Sequence, residues 1–310
     1  MSSYAFWTAC VQALLGSIMC FGVFISFRII RFPDLTCDGT FPLGACITAS
    51  LITIGINPFL VTLIAIFSGF ISGWITGILN VKFKIPGIVA SILVMTALYS
   101  VNLLITSNPV ISIGKNKTIF TIMYDFFIKK ISGSYFFVNN DIFYSIILLA
   151  IVIIIKLLLD YFLHTEYGIA MQSAGDKPKS AIAQAVNVDF LICVGIAIGN
   201  GLNALGGSLY AQIQKFADVN MGVGMIIVGL ASVYIGEALE KKFYTEKNLF
   251  FATLAVIIGS FLYKFAIAIA LEMGLSHDYF NLITAIIVTI ALLIPSVKND
   301  IHQVIKKGYS

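Results

Sequence analysis

The sequence predicts an all-α integral membrane protein with about nine transmembrane helices, within a range of eight to ten. The 310-residue chain is 59% hydrophobic and only 11% charged, whereas a soluble domain carries about 25% charge. Mean hydropathy is +0.98. Apolar runs recur along the whole chain near the ~20-residue length that a bilayer core demands of a helix. No ten-residue alternation of polar and apolar side chains suggests a barrel. Helices satisfy their own backbone groups in lipid, so they are the default spanning element.

The first span, Ala5–Phe27, has no basic residue before it and reads as a retained helix rather than a signal peptide. The segment Arg31–Ala45, RFPDLTCDGTFPLGA, follows, and its Pro33 and Pro42 argue against one uninterrupted helix. The second span, Phe41–Ile56, is sixteen residues long. That is ~24 Å of helix against a hydrocarbon core of ~30 Å. Two readings stay open. In one, the loop dips into the bilayer and carries Asp34, Thr36, Asp38 and Thr40 to membrane depth, where irregular backbone survives only inside protein or along a watery cavity. In the other it is a cytoplasmic turn capped by Asp38 or Thr40.

The third span, Phe59–Asn80, carries Gly69, Gly73 and Gly77. Small residues four apart let helix backbones approach closely in lipid, so this helix is expected to be packed among others. The fourth span is Pro86–Thr106, with Asn102 near its end. The outer-face loop 107–141 contains IFTIMYDFFIKKI (Ile119–Ile131), which places Ile119, Ile122, Met123, Phe126 and Phe127 at helical spacing. That is the pattern of an interfacial helix. The fifth span, Ile142–Leu163, holds Lys156 and Asp160 four residues apart, as in a snorkelling surface pair. The sixth, Phe190–Ala211, sets Asn200 and Asn203 on one face among glycines, suggesting a bend or a lined cavity. Gly222–Leu239, Leu249–Leu271 and Phe280–Pro295 complete the set. Lys264 lies well inside the eighth, and an intramembrane charge is a functional candidate against which snorkelling competes.

The net charge of +4 reads as topology rather than as affinity for nucleic acid. Alternate loops carry twelve basic residues on one side and five on the other. The richer side is expected to be cytoplasmic, with the N-terminus outside and the C-terminus inside. The five cysteines and three histidines are scattered and suggest no metal site. The whole of 1–310 reads as a single membrane domain.

The most informative polar stretch is the cytoplasmic loop 164–189. Gly168 and Gly175 punctuate it, Ala170, Met171 and Ala174 form a small apolar face, and Asp176 is placed to cap a second short helix led by Pro178. Such a surface helix is either a linker or a piece that fits a groove on a soluble partner.

This loop resembles the coupling region of permeases in the branched-chain amino acid and ribose families of bacterial ABC importers, through Thr165, Gly168, Gly175, Asp176, Asn187, Gly206 and Gly207. DLTCDGTFPLGA (Asp34–Ala45) is similar to a subgroup with a DLTxDG(S/T)F signature. NPVISIG (Asn108–Gly114), DVNMGVGMIIVGLASVYIGEAL (Asp218–Leu239) and Tyr263-Lys264 fit the same subgroup. The resemblance runs from about Phe27 to Pro295. It departs at Gln172 and Ser173, where a basic residue is common, and at Lys264, where arginine is frequent.

The resemblance implies a vitamin B12-type (type II) importer permease in the bacterial inner membrane, working as a permease dimer, with a homodimer the simplest form. Two ATPase subunits and an extracytoplasmic substrate-binding protein are its implied partners. It implies coupling through Gly168, Met171, Ala174, Gly175 and Asp176 and a pathway near Asp34, Thr36, Asp38, Asn200, Asn203 and Lys264. Some members of the subgroup handle aromatic amino acids; others in the superfamily take branched-chain amino acids, sugars or nucleosides. ATP and magnesium would belong to the partner, since this chain lacks a G-x-x-x-x-G-K-[ST] phosphate loop. The competing class is a self-contained secondary transporter, which calls for paired midplane charges and an inverted repeat. The sequence offers Lys264 and no repeat. An intramembrane enzyme would need a nucleophile or metal motif, and none is present.

Overall fold

The computed structural model describes residues 3–131, 140–243, 249–272, 285–286 and 289. The expected ninth span, Phe280–Pro295, lies outside the described residues but for three positions. The helices are α1 (Ser3–Phe24), α2 (Cys37–Thr53), α3 (Pro58–Val81), α4 (Gly87–Thr106), α5 (Ile119–Ile131), α6 (Asn140–His164), α7 (Glu166–Asp176), α8 (Pro178–Ala183), α9 (Val188–Gln214), α10 (Met225–Phe243) and α11 (Leu249–Glu272). Among the described residues, α1, α3, α4, α6, α9 and α11 contain the six stretches long and apolar enough to cross a membrane.

Local chemistry sets the helix starts. Asn57 accepts from the Phe59 amide with Pro58 at the first position of α3. Asn187 does the same for Phe190 at the head of α9, and Thr165 for Gly168 at the head of α7. Asp176 is not the cap of the second short helix: it is the last residue of α7, and Lys177 precedes α8 without a side-chain cap.

α2 begins at Cys37, four residues before the expected Phe41, and runs through Pro42. Proline has no N–H to give the Asp38 carbonyl, and Gly222 packs directly on that carbonyl and on the Pro42 ring. The helix therefore continues where an isolated one would break. At 17 residues it is still short, about 25 Å.

α9 is the centre of the bundle, packed against α1, α2 and α3. α10 pairs with α11, and α1 packs against α9, α11 and α6. α1 is buried along almost its whole length, as expected of a helix apolar all round. Its last turn widens into a π-helix, Ile25–Ile29. The three glycines of α3 face α9: Cβ atoms there would run into Asn200, Ala197 and Cys193 in turn. The opposite face of α3 exposes Leu63 and Phe67, and α4 and α6 expose Leu104 and Leu158. Apolar surface of this extent is what lipid covers.

The two ends of the bundle differ. At one, α7 and α8 lie beside the π-helical turn and the start of α9. At the other, a small antiparallel ribbon joins β1 (Val110–Ser112) to β2 (Phe216–Asp218), a pairing the helical reading of the chain did not contain. The Gln212 side chain there accepts from the Ile119 amide at 2.9 Å and starts α5. Ile119 and Phe120 of α5 are buried, whereas Phe126 and Phe127 stay exposed.

Candidate functional site

A buried polar cluster lies halfway along α9. Asn200 is the thirteenth of its 27 residues, about 18 Å from the helix start. Its side-chain oxygen accepts from Thr40 Oγ1 at 2.8 Å, and its Nδ2 donates to Asp34 Oδ2 at 2.7 Å and to the Ile196 carbonyl at 3.0 Å. The Thr36 amide donates to Asp34 Oδ1 at 2.9 Å, and Ser26 Oγ reaches Asp34 Oδ2 at 3.4 Å. Thr36 and Thr76 hydroxyls sit 2.9 Å apart. Asp34, Thr36, Thr40, Thr76 and Asn200 are all buried. The irregular backbone thus has Asp34 and the Thr36 amide bonded inside protein. Among the described residues no lysine or arginine pairs with Asp34. A buried carboxylate held by neutral donors alone is unusual and costly.

Thr40 meets Asn200, so α2 begins at this same depth. Asp38, two residues before Thr40, caps neither α2 nor a cytoplasmic turn. Its carboxylate accepts from Ile226 N at 2.8 Å and Gly224 N at 3.1 Å. It therefore caps α10, so α2 and α10 both start inside the bundle, joined by one carboxylate.

The other pathway candidates go elsewhere. Asn203 is buried against Gly22 of α1, with its side-chain oxygen lacking a donor. Lys264 is half-buried on α11 with its stem against Gly16 of α1. The six candidates therefore do not form one lining. Asp34, Thr36 and Asn200 share a cluster, Asp38 adjoins it, and Asn203 and Lys264 contact α1 at different levels.

A second polar string continues along α9 toward the ribbon. Thr48 donates to Ser208 at 2.7 Å, and Gln212 Nε2 donates to Thr62 Oγ1 at 2.8 Å. The signal was present in the sequence, because Asn200, Ser208 and Gln212 recur at multiples of four.

Lys156 and Asp160 are not a snorkelling surface pair. Both are buried, with Lys156 Nζ 2.5 Å from Asp160 Oδ2. Thr253 of α11 donates to Asp160 Oδ1 at 2.6 Å, and the ammonium sits over the Phe250 ring. The pair fastens α6 to α11. Its partners arrive from ninety residues away, which helical spacing alone does not reveal.

Four of the five coupling candidates face inward. Met171 and Ala174 are buried. Gly168 packs on the end of α6 at Phe162 and Leu163, and Gly175 on the Ile29 carbonyl. Gly195 of α9 leaves the space that Ile30 and Met171 fill. The apolar face of α7 thus seats the helix on its own bundle, because that bundle supplies an apolar groove first. Asp176 is exposed and pairs with Arg31. The surface that remains free carries Tyr167, Ile169, Lys177, Lys179 and Ile182.

The family described as "Branched-chain amino acid transport system / permease component" matches residues 6–292. The chain is 40% identical over 277 residues to a "Tyrosine transport system permease protein" of Clostridioides difficile (strain R20291), covering 89% of this chain and 86% of that protein. It is 32% identical over 293 residues to an uncharacterized protein of Rickettsia prowazekii (strain Madrid E), covering 94% of this chain and 98% of that one. No solved structure matches the chain. Together with its multi-pass helical bundle, these likenesses place the chain as a member of the branched-chain amino acid transport system permease family.

Proposed function

We propose that this chain is the translocation subunit of an ATP-driven importer in a bacterial inner membrane. It carries no catalytic site of its own. Two ATPase subunits dock on the cytoplasmic face of α7–α8, a second permease copy completes the pathway, and an extracytoplasmic binding protein delivers the solute. ATP and magnesium act on the partner. The solute is an amino acid, and the likeness to a permease named for tyrosine favours an aromatic one.

The observation that carries this reading is the α7–α8 layer. Its apolar face is spent on the bundle, while Tyr167, Ile169, Lys179 and Ile182 remain exposed on a rigidly seated surface. A helix held from behind can pass a push from a docked subunit into the membrane. Candidate pathway groups are Asp34, Thr36 and Asn200, with Asp38 beside them and Asn203 and Lys264 as separate candidates.

The test is reconstitution with the ATPase and binding protein, using labelled tyrosine as the probe. Uptake should require ATP inside the compartment that holds the ATPase. Disabling the ATPase phosphate loop should reduce it by at least ~100-fold, since no other energy source is coupled. Uptake driven by a proton or sodium gradient with the ATPase absent would overturn the proposal.

Orientation is tested separately. A reporter that matures only in the cytoplasm should work when inserted after Lys179 and stay silent within 115–127, following the twelve-to-five basic asymmetry. The reverse pattern would invert the topology.

A further inference from the structure

The stretch between α1 and α2 touches more of the molecule than a connector needs to. Arg28 Nε bonds Glu237 Oε1 of α10 at 2.6 Å. Arg31 pairs with Asp176 at the end of α7, and Gly175 rests on the Ile29 carbonyl just before it. Arg31 holds a left-handed backbone, φ 58°, a conformation uncommon in non-glycine residues. Ten residues after Arg28, Asp38 takes the Gly224 and Ile226 amides at the other end of α10. One short segment therefore grips α10 at two points and α7 at one.

We propose that residues 28–38 act as a clamp that makes α7 and α10 move together, with Arg28, Arg31 and Asp38 as its positioning residues. This rests on the docking of an ATPase at α7–α8. The geometry favours transmission over mere packing for two reasons. The contacts are directional charge-assisted bonds rather than apolar surfaces that slide. They also reach both Glu237, buried in the second half of α10, and the start of that helix inside the bundle, so a shift of α7 displaces the whole helix. The start of α10 is the element moved, since its first amides have no helical partners and depend on Asp38.

The experiment uses the assembled complex in nanodiscs, with native cysteines replaced and a Met225→Cys reporter at the start of α10. Labelling by a water-soluble maleimide is compared without nucleotide and with a non-hydrolysable ATP analogue. A Lys179→Cys variant, cross-linked to the ATPase, reports docking independently. In the parent complex the labelling rate should change about fivefold or more on nucleotide binding, the scale of ordinary allosteric coupling. Asp38→Asn should abolish that change. So should Arg31→Asp and Asp176→Arg singly, and the combined charge swap should restore it. Aspartate tolerates a left-handed backbone, so Arg31→Asp tests the charge and not the turn. If Lys179→Cys cross-links while the reporter still responds in the single variants, the clamp is wrong and the docking stands. If Lys179→Cys never reaches the ATPase, both readings fall.

Discussion

Gly73→Leu should leave almost no folded protein in the membrane. A Cβ at Gly73 already comes within 2.5 Å of the Ile196 carbonyl, 2.8 Å of Ala197 Cα and 2.9 Å of Asn200 Cβ. Two of these are backbone atoms of α9 and cannot rotate away. Overpacking of a tight core typically costs about 1–3 kcal/mol, and more when backbone must part. Here the leucine side chain has to separate α3 from the helix at the centre of the bundle, and it would also displace Asn200. In lipid no hydrophobic drive compensates, because helix association rests on close packing. Thermal unfolding in detergent, followed by size-exclusion fluorescence, measures the effect. Two comparisons keep it specific. Leu63→Ala lies on the exposed face of α3 and should change the midpoint little. Gly201→Ala, on α9 itself, meets nothing nearer than the Ile66 carbonyl at 3.5 Å. It should be neutral or gain up to ~1 kcal/mol from helix propensity. A wild-type midpoint for Gly73→Leu would mean that α3 and α9 do not pack as described.

This contrast also shows what the sequence carries and what it withholds. Apolar length is a local signal, so the starts and ends of α3, α4, α6, α9 and α11 fall within a few residues of their expected places. The glycine stripe of α3 is local too, since spacing alone states that something packs closely there. The partner is not local: nothing in Gly69, Gly73 and Gly77 names α9. Orientation is withheld for the same reason. Met171 and Ala174 make an apolar face that suits an external groove or an internal one. The choice is made by Ile29, Ile30 and Gly195, which lie far along the chain. Asp38 shows the limit most clearly. It stands in the first turn of α2 and looks like that helix's own cap, yet its bonds go to residues 186 and 188 positions later. Legible without partners were the polar groups themselves. Asp34 and Asn200 stand out because lipid tolerates neither, and the fold joins them directly.

That junction gives the second large effect. Asp34→Leu should lower stability by about 2–4 kcal/mol, since each buried donor stripped of its acceptor costs roughly 1–3 kcal/mol. The substitution orphans the Thr36 amide and takes from the Ser26 hydroxyl the acceptor it has here, while Asn200 loses one of its two acceptors. Asn200 keeps the Ile196 carbonyl, which limits the loss. Asp34→Asn should cost less. Its shape fits and one oxygen remains, but the new amide must face either the Thr36 N–H or the Asn200 NH2, donor against donor. Thr40→Val removes a single bond to Asn200 and should cost about 1 kcal/mol. The order Leu, Asn, then Thr40→Val distinguishes a hydrogen-bonded junction from a carboxylate buried for its charge alone. In the latter case leucine, freed of desolvation, would stabilise, as replacement of buried ions by apolar groups often does. A double-mutant cycle with Asn200→Ala completes the measurement. With both partners gone the penalty should be less than additive by about 1–3 kcal/mol, the coupling expected of residues in one network. An additive result would mean that Asp34 and Asn200 do not act as a pair, and a higher midpoint for Asp34→Leu would remove the junction as a source of stability.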